Sequence, residues 1–142
     1  WIMRITPEAG TVKDGEYRDV PLHPHLIEQG FPEFVAKAAT GYLFMKVFGD
    51  TQEAQRSAWR TTKNRVRDFV REIVKDPEVQ PNHAWRHRFM TMGRNLEIAQ
   101  DVRFSITGHA TKDEGADYGD ISNEAKAAAL AKYPRYELMS LA

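Results

Sequence analysis

The chain has 142 residues, of which 42% are apolar and 28% charged, with 20 basic and 20 acidic side chains and no cysteine. Without cysteine, disulfides, thiolate catalysis and cysteine-ligated zinc are excluded. No apolar run approaches the ~20 residues that span a bilayer, so no membrane partner is expected. The length and composition predict one ordered domain, residues 1–142, and the formal net charge of zero argues at first against a nucleic-acid partner.

The first residues alternate: Trp1, Met3 and Ile5 fall on one side, and Ile2, Arg4 and Thr6 on the other, which is strand periodicity. Pro7 to Gly10 breaks this strand. Thr11 to Val20 reads as one or two further strands with a turn at Asp14-Gly15, and Pro21 ends them. From Pro24 helical signals take over. Short segments carry Leu26-Ile27 and then Phe31, Phe34, Val35 and Ala38, and Tyr42 to Phe48 is an apolar cluster expected in the core. His23 and His25 flank Pro24, but no third ligand clusters with them, so no metal is expected.

The longest helix is expected from an N-cap at Thr51 to about Lys75, with Val66, Phe69, Val70, Ile73 and Val74 as its buried stripe. Arg60, Lys63, Arg67 and Arg71 lie on another side of it. A helix starting at Asn82, or in the loop before it, carries His83 and Arg86 inward and is expected to end at Gly93. Another spans Leu96 to Phe104, Thr107-Gly108 turns the chain, and Ser122 or Asn123 caps a last helix through Ala125 to Lys132. The fold class is therefore α+β, mainly α: a small N-terminal antiparallel sheet followed by a helical bundle. The distribution of charge answers the neutral total. Between Arg56 and Arg94 stand ten basic residues against four acidic ones, an excess of six that suits phosphates, and Arg60, Lys63, Arg67, Arg71, His87 and Arg88 are candidate phosphate contacts.

His83, Arg86, His109 and Tyr118 follow one another in an order that suits phosphodiester chemistry. A phenol with a pKa near ~10 needs a base or a cationic pocket to act as a nucleophile. An arginine keeps its charge and offers paired donors to phosphate oxygens. Three residues apart on a helix, His83 and Arg86 project from one face.

The run His83-Ala-Trp-Arg86-His87, then Thr107-Gly108-His109, then Tyr118 resembles the H-x-x-R-H, L-G-H and Y boxes of the tyrosine recombinase (phage integrase) family. The run Arg18-Asp19-Val20-Pro21-Leu22 resembles that family's R-x-V-P-L run, upstream of which Lys13 matches its hairpin lysine. The resemblance implies a catalytic domain of that fold. Tyr118 would be the nucleophile, Lys13 the acid for the 5′ leaving oxygen, Arg86 and His109 the transition-state ligands, and His83 the aid to proton transfer. It implies double-stranded DNA as partner, a homotetramer on DNA through the C-terminal helix (or else that helix caps its own chain), and no cofactor. It also implies a cytoplasmic, nucleoid-associated setting in a bacterium or phage-infected host. The family carries a further arginine ahead of the first strand, and the chain is expected to be a fragment, crippled or inactive by itself. Three alternatives stay open: a non-catalytic helical DNA-binding module, a protein-interaction module, and a type IB topoisomerase-like enzyme, against which His83 counts because that group resembles a variant with lysine there.

Overall fold

The computed structural model describes residues 1–9, 17–109 and 120–136. Two of the expected features, the turn at Asp14-Gly15 with Lys13 and the segment holding Tyr118, lie outside the described residues. The fold class is as expected: mainly helical, with one two-stranded antiparallel sheet near the N-terminus. The chain divides into two compact units, residues 1–33 with 90–142, and residues 34–89.

The first unit is built on the sheet. Strand β1 (Ile2–Ile5) pairs with β2 (Arg18–Pro21), with Ile2 opposite Pro21 and Arg4 opposite Asp19. Proline can close this ladder because it stands at the strand's end, where losing a donor costs least. The directly opposed Arg4 and Asp19 form a two-pronged ion pair at 2.7 and 2.8 Å, and this bond holds the Asp19 carboxyl below the usual carboxylate range. Pro7–Ala9 makes a single 3-10 turn after β1. After β2, helix α1 (Pro24–Glu28) begins with proline at its first position, and the His23 ring caps it by accepting from the His25 amide. The two histidines are thus capping and bracing groups: His23 Nε2 meets the Tyr133 carbonyl at 3.2 Å, and His25 Nδ1 accepts from the Tyr136 amide at 3.4 Å. Among the described residues no group of three potential ligands gathers round a metal site.

Helix α4 (Pro81–Asn95) does not stop at Gly93 as expected but runs on to Asn95. It closes with two back-bonds, Ile98 N–H to Gly93 O and Glu97 N–H to Arg94 O, with Glu97 at φ +54°. This is the usual left-handed helix ending, with glutamate where glycine is commoner. Gly93 has a different purpose. A Cβ there would stand 2.4 Å from the Tyr133 hydroxyl and 2.6 Å from Arg103 Cδ, so only glycine admits both side chains. Arg103 belongs to α5 (Gln100–Thr107), which begins four residues later than expected. It is only 7% exposed and donates from Nε to Ile98 O (3.0 Å) and from Nη1 to Met90 O (3.1 Å). Around this knot lie the buried Ile98 and Ile106, with Ala129 and Leu130 of α6 (Asn123–Ala131). Ser122 caps α6 as expected, and α6 packs on β2 and α5, its buried Lys126 donating to the Asp19 carbonyl at 3.2 Å. Its small-residue face is therefore used inside its own unit.

The second unit holds α3 (Gln52–Ile73), capped by the Thr51 hydroxyl as expected. The stripe expected to be buried is not. Val70 is buried, but Val66 is exposed, and Phe69 and Ile73 are 60% and 70% exposed. The Tyr42–Phe48 cluster is likewise no core. Phe48 is 86% exposed, and Tyr42, Leu43 and Phe44 instead line an open cleft of about 810 Å³ against Ala54, Ala58, Thr62 and Arg65 of α3. Phe34, in α2 (Phe31–Lys37), stacks on Phe44 at 5.9 Å. Periodicity finds an apolar face but cannot say what covers it. Among the described residues no helix is long and apolar enough to cross a membrane.

Two measurements test the Gly93–Arg103–Tyr133 knot. Gly93→Ala should lose about 1–3 kcal/mol in chemical denaturation through overpacking, with partial recovery when combined with Tyr133→Phe, which removes the hydroxyl. Burial pushes the Tyr133 phenol up to about 12, against an unfolded value of about 10. Its contribution to stability is complete below about pH 10 and disappears as pH rises toward 12. Melting curves between those limits should fall more steeply for the wild type than for Tyr133→Phe.

Candidate functional site

The chain leaving α3 is ordered by arginine. Arg71 donates to the carbonyls of Asp76 (2.5 Å), Val79 (2.6 Å) and Pro77 (3.3 Å), wrapping the segment between α3 and α4 around one guanidinium. Helix α4 then starts with Pro81, and the amides of His83 and Ala84 both reach the Gln80 carbonyl, at 2.9 and 2.8 Å. The Asn82 side chain reaches the Lys63 carbonyl at 3.4 Å, tying the first turn of α4 to α3. His83 and Arg86 thus lie on a helix held at its entry, three residues apart and on one face, as expected. His83 is exposed rather than turned inward, while Arg86 is half-buried. The His83 and His87 rings meet edge to face at 4.8 Å, which limits the orientations of both.

The other candidate cations differ in their commitments. Arg71 has its donors on loop carbonyls, so its task is structural. Arg67 pairs with its neighbour Asp68, both in contact with solvent, an ion pair of small energetic weight. Lys63 lies over the Trp59 ring at 5.1 Å, and Arg60 is exposed. Arg60, Lys63 and Arg67 form a line at positions i, i+3 and i+7 of α3, a cationic stripe suited to contacts with a phosphate backbone. Arg88 is exposed on α4 beside the exposed His87.

His109 belongs to the first unit and is held from two sides. Gly108 ends α5 at φ +68°, a left-handed conformation that glycine adopts without strain. The His109 ring stacks on Phe104 at 5.2 Å, and its Nδ1 stands 2.7 Å from the Thr107 hydroxyl. That hydroxyl also faces the Arg103 carbonyl at 2.8 Å and has one proton. A carbonyl can only accept. The pair of contacts is satisfied when Thr107 donates to Arg103 O and His109 donates from Nδ1 to Thr107. In the neutral ring Nε2 is then the lone-pair nitrogen, and it donates only once the ring is an imidazolium.

Sequence reading quoted Arg18 and Thr107 only as members of motif runs, without a role of their own, and did not name Arg103; each of the three shapes this corner. The signals were a glycine inside a helical pattern at Gly93, which indicates close packing, and a hydroxyl two residues before the histidine.

Arg71→Met should separate structural from phosphate-binding cations. Losing the loop bonds is expected to cost about 1–2 kcal/mol and to speed amide exchange at His83 and Ala84. Arg60→Gln should leave exchange unchanged. Equal exchange in both variants would remove Arg71 from its assigned role.

No protein-family model matches the chain, and neither a curated protein nor a solved structure matches it.

Proposed function

We propose that the chain carries the chemistry of a tyrosine recombinase, cutting and rejoining DNA strands through a 3′-phosphotyrosyl link. The observation that carries this is the pairing of His83 and Arg86 on one face of an anchored helix, in a stretch rich in cations. The anchored His109 and the chain order His83, Arg86, His109, Tyr118 support it.

In this reaction the Tyr118 oxygen attacks a backbone phosphorus, forming a phosphotyrosine bond as the bond to the 5′ oxygen breaks. The phenol proton passes toward His83, and Lys13 supplies a proton to the departing 5′ oxygen. Arg86 and the His109 imidazolium stabilise the charge on the phosphoryl oxygens. A 5′ hydroxyl from a partner strand reverses the step, and the retained ester supplies the energy, so neither nucleotide nor metal is consumed. The partner is double-stranded DNA, bound as a homotetramer, in the cytoplasm beside the nucleoid of a bacterium or phage-infected host. A non-catalytic DNA-binding module is the second reading, favoured by the cationic stripe of Arg60, Lys63 and Arg67, which binds phosphates without cutting them.

Covalent trapping on nicked duplex DNA distinguishes the two. The chain should give a protein–DNA band on denaturing gels. Tyr118→Phe should abolish it, and Arg86→Ala should slow its appearance by about 100-fold or more. DNA binding with no covalent band from any form would leave the binding module as the function.

A further inference from the structure

Arg18 opens β2, and its guanidinium lies against Gly108. A Cβ built on Gly108 would stand 2.6 Å from Arg18 Nη1, 2.8 Å from Cζ and 3.3 Å from Nε. Glycine suits this position through its left-handed backbone, and its missing side chain lets the arginine approach closely. The Arg18 Nε is buried and has no hydrogen-bond partner among the described residues. A buried N–H of this kind is costly to leave unpaired, and a charged donor the most so. No carboxylate forms an ion pair with Arg18 among the described residues, in contrast to its strand neighbour Asp19, which takes Arg4. Among the described residues, a charged fork thus lies against Gly108, the neighbour of His109 in sequence, without an ion-pair partner.

We propose that Arg18 is a phosphate-binding residue of the His109 corner, contributing a second guanidinium to the backbone phosphate that His109 contacts. This rests on the recombinase reading and adds to it a ligand outside the H-x-x-R, His109 and tyrosine set. The competing account is structural. The C-terminal end of α5 carries partial negative charge, and a guanidinium beside it could serve only to balance that charge.

The two accounts differ in salt dependence. Each phosphate contact contributes about 0.9 to the slope of log affinity against log salt for duplex DNA, whereas a purely structural role contributes nothing to it. The 142-residue chain, Arg18→Gln and Arg18→Lys are titrated with a random-sequence duplex over a range of salt, with thermal melts as the folding control. Arg18→Gln should lower the slope by about 0.9, and Arg18→Lys, which keeps the charge, should leave it near wild type. An unchanged slope in Arg18→Gln overturns the proposal, whatever happens to its melting temperature. The same contact is read in the unmutated chain by phenylglyoxal modification with peptide mass mapping. Duplex DNA should slow modification of Arg18 several-fold, and equal modification with and without DNA counts against the contact even if Arg18→Gln does not fold. The recombinase reading fails separately, through a wild-type chain whose DNA binding does not respond to salt or through the absence of the Tyr118-dependent band.

Discussion

A buried arginine, Arg103, with no carboxylate partner among the described residues organises the first unit. Taking a guanidinium out of water costs several kcal/mol, and Arg103 offsets this with carbonyls at two separate points of the chain, Met90 within α4 and Ile98 in the turn after it. Both acceptors must be in place together, so the end of α4, the connection and the start of α5 are set as one object. Gly93 makes the close approach possible, and Tyr133 covers it. From Tyr133 the chain is bound back to α1 through His23, and Arg135 pairs with Glu28. The sheet joins the same assembly through Lys126, which bonds the Asp19 backbone while Arg4 takes its side chain.

This assembly delivers a histidine held between the Phe104 ring and the Thr107 hydroxyl. The Thr107 hydroxyl cannot donate to both of its neighbours, so the Arg103 carbonyl passes a preference through it to His109 Nδ1. The residue that holds the unit together therefore also influences which nitrogen of the imidazole carries hydrogen. In the second unit Arg71 has an analogous position, gathering three carbonyls of a loop so that α4 starts in register with His83 and Arg86 on one face. In both units an arginine that contacts no substrate prepares the setting for a residue proposed to do so.

The cations near the candidate site thus fall into distinct kinds, although sequence spacing makes them look alike. Arg71 and Arg103 are consumed by carbonyls, and Arg4 and Arg67 by carboxylates. Arg18, pressed on Gly108, has no carboxylate partner among the described residues, and the α3 stripe of Arg60 and Lys63 faces solvent, the Lys63 ammonium lying over the Trp59 ring. A local excess of six positive charges describes their sum but not this division of labour.

Local signals read correctly where the physics is local. The alternation of Trp1 to Thr6, the Thr51 and Ser122 caps, proline at the start of α1 and the left-handed Gly108 all depend on residues within a few positions of one another, and the sequence determined them. So did the three-residue spacing that places His83 and Arg86 on one face. The misreadings concern contacts between residues far apart. Gly93 looked like a helix end because its real constraint, Tyr133, lies 40 positions away in sequence. Phe69 and Ile73 looked buried because periodicity defines a face without defining its cover. Which arginines are neutralised and which side chains crowd Gly93 were decided by tertiary structure alone, because burial and hydrogen-bond geometry are properties of the folded surroundings.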